Sequence, residues 1–92
     1  ITNAKTRNTG KELVEIGIEN GKITAIASAV EGEAKQVIDA KGNYVFPGAI
    51  DTHAHLNDPG YEWREDYEHG TAAAALGGYT TIIDMPLQNG NG

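Results

Sequence analysis

Cysteine is absent from the 92 residues, and that absence excludes disulfides and thiolate metal ligands alike. Any metal held here must be bound through nitrogen and oxygen. A cysteine-free chain fits the cytosol, and a cytoplasmic protein is the expectation. Clustered positive charge is also missing: thirteen acidic side chains outnumber seven scattered basic ones, for a net charge of −6. Neither a phosphate backbone nor an anionic membrane surface is an expected partner for such a chain. No apolar stretch approaches the roughly 20 residues needed to cross a bilayer. Ile1 does not open a charged-then-apolar signal segment. There is no internal repeat, and the one biased segment is the tail Asn89-Gly90-Asn91-Gly92. Gly77-Gly78 follows a helical pattern instead of preceding one, so it reads as a helix stop with left-handed backbone and not as a phosphate-cradling loop.

The hydrophobic fraction of 39% is ordinary for a soluble domain, and the apolar residues are arranged in two different ways. Residues 13–18 alternate, with Val14, Ile16 and Ile18 on one face. Asn20-Gly21 and then Lys22-Ile23-Thr24-Ala25-Ile26-Ala27 follow, which predicts a β-hairpin with a tight turn. Ile1-Thr2-Asn3-Ala4 reads as the end of an earlier strand. Gln36-Val37-Ile38-Asp39 reads as a short strand ahead of the turn Lys41-Gly42-Asn43. The first half is therefore expected to be all-β.

Near Pro47-Gly48 the pattern changes to a buried strand over 45–52, a helix over 65–76 with its alanine run, and a strand over 79–84. Strand, helix and strand make one βαβ unit, which requires parallel pairing. The chain is expected to divide into 1–46 and 47–92.

His53-Ala54-His55 closes the apolar run Val45-Phe46-Pro47-Gly48-Ala49-Ile50-Asp51-Thr52. Residues two apart on a strand point to the same face, so both imidazoles aim at one point. Neutral imidazole is the commonest metal ligand and suits zinc. Two nitrogens alone hold an ion weakly, so the pair calls for partners elsewhere.

These residues, taken in order, resemble the cyclic amidohydrolases of the amidohydrolase superfamily: dihydroorotase, hydantoinase or dihydropyrimidinase, and allantoinase. The resemblance rests on Glu19-Asn20-Gly21-Lys22-Ile23, Phe46-Pro47-Gly48-Ala49-Ile50-Asp51-Thr52-His53-Ala54-His55 and Asn57-Asp58-Pro59-Gly60. It continues through Gly70-Thr71-Ala72-Ala73-Ala74 and Gly77-Gly78-Tyr79-Thr80-Thr81 to Asp84-Met85-Pro86-Leu87. It implies an α/β fold: the start of a (β/α)8 barrel over 47–92, preceded over 1–46 by strands of a small β-sandwich domain. It further implies two divalent metal ions, zinc for preference. His53 and His55 would be ligands on the first barrel strand, at the barrel face where catalytic groups collect. The remaining ligands, a carboxylated lysine, two histidines and an aspartate, come from later strands in the family. No catalytic residue is thus expected within these 92, which alone would be inactive. The resemblance implies a piece of a longer enzyme that forms a homo-oligomer, a dimer or tetramer.

Six other positions bear on the site. Asp51 shares parity with the histidines, and is read either as a carboxylate behind the metal ligands that orients one of them or as an acid satisfying backbone groups. Asn57, two residues on, would turn its amide toward the same cavity if the loop starts extended, to bind a neutral ureide ring, or would instead make an Asx turn. His69 matches no ligand of the family and is read as a solvated helix residue. Asp84 is taken as structural, and Tyr61 and Trp63 as packing their loop onto the barrel.

Dihydroorotase carries an arginine where Asn57 stands, to hold its substrate's carboxylate. Without a guanidinium that anion loses its bidentate partner. Asn57-Asp58-Pro59-Gly60 with Trp63, and Met85-Pro86-Leu87 afterwards, look more like allantoinase than like hydantoinase, so the resemblance implies hydrolysis of a ring amide in a small neutral cyclic ureide, allantoin to allantoate. Dihydroorotase and hydantoinase are the alternatives, with an inactive piece or a non-catalytic paralogue as a further one.

Overall fold

The computed structural model describes residues 1–85. Pro86, Leu87 and the Asn89-Gly90-Asn91-Gly92 tail lie outside the described residues. The chain forms two compact units, Ile1–Phe46 and a second opening at Pro47.

In the first unit β1 (Glu15–Glu19) pairs antiparallel with β2 (Lys22–Ala27). Asn20 and Gly21 turn the chain with φ of 52° and 74°, the doubly left-handed turn whose twist matches a hairpin. Pairing runs Gly17↔Ala25 and then Ile18↔Ile23, so Thr24 is skipped and its hydroxyl donates to the Gly17 carbonyl at 3.3 Å. Residues 1–5 are bonded on two sides through isolated bridges, antiparallel at Ala4↔Val14 and parallel at Thr2↔Asp39 and Lys5↔Tyr44. Ala4, Val14 and Ile16 form the small core, with Ile1, Ala40 and Val45 packed against it. Ile18 shares their parity but lies beyond this cluster and is 57% exposed.

The strand expected at 36–39 is not formed; only Asp39 bridges, and Val37 and Ile38 are exposed. The Asp39 carboxylate accepts from Asn3 Nδ2 at 3.0 Å and from the Lys41 N–H at 2.8 Å. These bonds turn the chain where a ladder would continue, and they hold the carboxyl below its ordinary range, the Asn3 bond most. Lys41 and Gly42 complete the turn with φ of 54° and 78°.

In the second unit β3 (Ala49–Ala54) and β4 (Tyr79–Asp84) pair in parallel, joined by α1 (Tyr67–Leu76). The strand expected at 45–52 therefore starts and ends later. The Val45 N–H belongs to the first unit, donating to Lys5 O at 2.8 Å. Pro47 has no N–H to give a ladder. At Gly48 a Cβ would collide with the Thr80 side chain, so only glycine allows this approach.

Helix α1 begins two residues later than the alanine-rich pattern suggests, because Asp66 is its cap: extended at ψ 172°, with its carboxylate accepting the His69 N–H. Gly77 N–H closes on the Ala73 and Ala74 carbonyls, and Gly78 leaves the helix at φ 89°. Buried Gly70 lets the helix lie against Leu56, whose Cδ2 a Cβ would meet at 2.9 Å. Beyond that contact the apolar surface is open. Ile50 and Ile83 are exposed and Leu76 is 92% exposed.

The two close glycines should respond differently to alanine. Gly48→Ala places a methyl against a β-branched side chain next to backbone, an overpacking that costs about 1–3 kcal/mol. Gly70→Ala meets the far end of a flexible leucine and gains about 0.5–1 kcal/mol of helix propensity, so it should be near neutral. Urea midpoints of the two variants measure the difference, Gly48→Ala being the lower.

Candidate metal-binding site

The site is built where β3 and β4 end together. His53 is the penultimate residue of β3 and His55 the first beyond it, and their ring centroids lie 5.1 Å apart at an interplanar angle of 76°. Strand parity thus brings both imidazoles to one exposed spot.

His55 is held from three directions by the end of β4. The Met85 N–H donates to the Ala54 carbonyl at 2.7 Å, and the Leu56 N–H donates to Asp84 Oδ1 at 3.1 Å. Between them, His55 Nδ1 lies 2.6 Å from the Met85 carbonyl oxygen. A carbonyl only accepts, so Nδ1 carries the proton and the lone pair sits on Nε2. Metal-binding histidines use this arrangement, one ring nitrogen spent on a carbonyl and the other free for the ion.

Asp84 spends both carboxylate oxygens. Its Oδ2 accepts the Tyr67 hydroxyl at 3.0 Å, tying the first turn of α1 to the same corner. That hydrogen bond is the main reason the Tyr67 phenol is held above its ordinary range, aided by partial burial and by the charges of Asp84 and Asp58. Asp58 in turn accepts the Tyr67 N–H at 3.0 Å. Sequence reasoning treated Asp84 as structural and did not foresee its bonds to Leu56 and Tyr67. The available signal was that parallel strands in register end at one level, Ala54 opposite Asp84.

Asp51 Oδ1 accepts the His53 backbone N–H at 3.1 Å, so its recorded partner is main chain and not an imidazole. Asn57 departs from the extended loop start on which its parity argument depends. Its φ is 63°, a left-handed value that asparagine tolerates, and its Nδ2 donates to the His55 carbonyl at 3.3 Å. No Asx turn forms either. His69 is apart from this corner: 81% exposed, it sits on the Asp66 carboxylate at 2.7 Å. Trp63 does not pack its loop down; it is exposed, with the Arg64 guanidinium over its ring at 4.8 Å and over Tyr61 at 5.2 Å. Among the described residues no three histidine, aspartate or glutamate side chains converge as a metal cage. Two imidazoles meet at this corner.

The pattern of the amidohydrolase family matches residues 36–85. The chain belongs to the amidohydrolase family. This amidohydrolase segment is 49% identical over 81 residues to an allantoinase of Bacillus licheniformis, an alignment covering 85% of the chain and 18% of that protein. An allantoinase of Bacillus velezensis is 46% identical over 81 residues, covering 88% and 18%. An allantoinase of Escherichia coli strain K12 is 51% identical over 75 residues, covering 82% and 16%. The chain thus spans less than a fifth of the length of the curated relatives it matches. No helix among the described residues is long and apolar enough to cross a membrane.

Two expectations follow for this amidohydrolase. In the neutral imidazole form, ¹⁵N spectra of the metal-free protein should show His55 protonated at Nδ1 and bare at Nε2; the opposite tautomer would remove the carbonyl bond. The second concerns the cap of α1. The His69 backbone N–H, and then its ring, hold the Asp66 carboxyl below its ordinary value. A depressed carboxyl stabilises the fold above its unfolded value of about 3.9, and this contribution is lost as pH falls through the folded value. Protection of the His69 amide should fade over that acid window and be absent at all pH in Asp66→Ala.

Proposed function

We propose that the complete protein hydrolyses a ring amide C–N bond of a small neutral cyclic ureide, allantoin to allantoate, using two divalent metal ions, zinc for preference. The observation that carries this reading is the match of about half the residues to allantoinases through the very segment that brings His53 and His55 together. Water adds across the amide carbonyl and the ring nitrogen leaves with a proton, so a ring becomes an open-chain acid.

His53 and His55 would hold one of the ions. The donor chemistry fits: two neutral nitrogens on one face, with the His55 lone pair directed away from the Met85 carbonyl. When bound, a divalent metal polarises a carbonyl and brings the pKa of a coordinated water toward neutrality. Two protein ligands are fewer than the three a catalytic zinc needs. The 92 residues alone should accordingly turn nothing over, and the other donors and the base would come from further chain.

We further assign 47–92 to the opening βαβ unit of a (β/α)8 barrel and 1–46 to part of a β-sandwich. Support comes from the parallel β3–α1–β4 order, from the histidines at the strands' C-terminal ends where barrel enzymes place their chemistry, and from apolar side chains on β3, β4 and α1 left open for neighbouring elements. A homo-oligomer is the expected assembly.

Asn57 is assigned to substrate selection. Its amide gives one N–H to the His55 carbonyl and keeps a second N–H and the oxygen, with no positive charge, so dihydroorotate would leave its carboxylate unpaired at a cost of a few kcal/mol. Side-by-side kcat/KM values on allantoin, hydantoin and dihydroorotate test the reading, and allantoin should lead. Asn57→Arg should move the ratio toward dihydroorotate. In His53→Ala/His55→Ala both metal content and turnover should fall, whereas unchanged metal content would remove the ligand assignment.

A further inference from the structure

The carboxylate of Asp84 links the end of β4 to the chain just past β3 and to α1. It stands at the end of β4, accepts the Leu56 N–H next to His55, and accepts the hydroxyl of Tyr67 in α1. His55 lies outside the β3 ladder, and the chain turns left-handed two residues later at Asn57. Its backbone is therefore fixed on the N-terminal side by Met85 N–H to Ala54 O, and on the C-terminal side by Leu56 N–H to Asp84. With both anchors in place, His55 Nδ1 lies 2.6 Å from the Met85 carbonyl oxygen.

We propose that Asp84 is a positioning residue for His55: through the Leu56 N–H, with its second oxygen braced by Tyr67, it sets the direction in which Nε2 is presented to a divalent cation. This deepens the metal-ligand reading of His53 and His55 and rests on it. The hydrogen bonds of the Asp84 carboxylate go to Leu56 and Tyr67 and not to an imidazole. Its effect passes through the backbone, so a variant that keeps an acceptor oxygen should keep the effect. Asparagine keeps that oxygen for the Leu56 N–H and alanine does not.

The test uses the complete protein with zinc as the probe, comparing wild type with Asp84→Ala, Asp84→Asn, Tyr67→Phe and His55→Ala. Zinc affinity by chelator competition should weaken about 10- to 100-fold in Asp84→Ala and by no more than about threefold in Asp84→Asn, the scale seen when outer partners of metal ligands are removed. The His55 ¹⁵N signals of the metal-free protein should lose the Nδ1-protonated pattern in Asp84→Ala and keep it in Asp84→Asn. A merely structural acid would lower the unfolding midpoint and leave those signals in place. Wild-type zinc affinity in Asp84→Ala, or equal losses in the alanine and asparagine variants, would overturn the proposal. Should Asp84→Ala fail to fold, Tyr67→Phe decides: faster zinc release at an unchanged metal-free midpoint supports the brace, and unchanged release overturns it. His55→Ala separates the two levels, since wild-type zinc binding there removes the ligand reading itself, whereas loss there with none in Asp84→Ala removes only the positioning role.

Discussion

The hydrogen bond from Met85 N–H to the Ala54 carbonyl closes the parallel pair, and the rest of the second unit's chemistry depends on it. Because the two strands run the same way and stop at the same level, the residues just past their ends become neighbours. His55 and Met85 are 30 positions apart in the chain, yet ring and carbonyl are in hydrogen-bond contact. Asp84 and Leu56 meet for the same reason. Antiparallel pairing would have set the end of one strand beside the start of the other and separated these groups.

That geometry also explains why polar groups gather at this corner. Strand ends leave N–H and C=O groups outside the ladder, and each needs a partner. Asp84 satisfies one such N–H, the Met85 carbonyl is satisfied by an imidazole, and Asp58 takes the Tyr67 N–H at the start of α1, where a negative charge is favourable. His55 thereby gives its Nδ1 to the backbone and turns Nε2 outward, one tautomer being selected. Selection of Nε2 as the exposed lone pair comes from a carbonyl with nothing to donate, not from any neighbouring charge.

The first unit is organised differently. Its core of Ala4, Val14 and Ile16 is small, and residues 1–5 are held chiefly by backbone bonds on both sides. Asn3 and Asp39 add a side-chain link at the parallel bridge. In the second unit the groove between α1 and β4 is lined by Thr71, Ala75, Thr81 and Ile82 and is not filled by α1 itself. Small side chains along Ala72-Ala73-Ala74-Ala75 bring little volume to that face, and a helix and two strands offer more apolar surface than they can cover among themselves.

Local chemistry was enough to determine several features from the residues alone. Asn20-Gly21 dictates a hairpin turn because few residue pairs accept two positive φ values, and the proximity of the His53 and His55 rings follows from strand parity. The order of strand, helix and strand, with an acidic start and a glycine stop to the helix, was legible on the same terms. What parity could not reach was Asn57, where the chain leaves the strand conformation that gives parity its meaning. The strand expected at 36–39 failed similarly, since hydrogen bonds from Asn3 and Lys41 to Asp39 outweigh the β preference of Val37 and Ile38. The boundaries of β3 were decided by partners distant in sequence, with Val45 claimed by Lys5 and Gly48 placed against Thr80. The clasp of His55 by Asp84 and Met85 likewise exists only in three dimensions. Pattern and propensity act over a few residues, whereas these contacts join groups 28 and 30 positions apart, and only the register of the parallel pair brings them within reach.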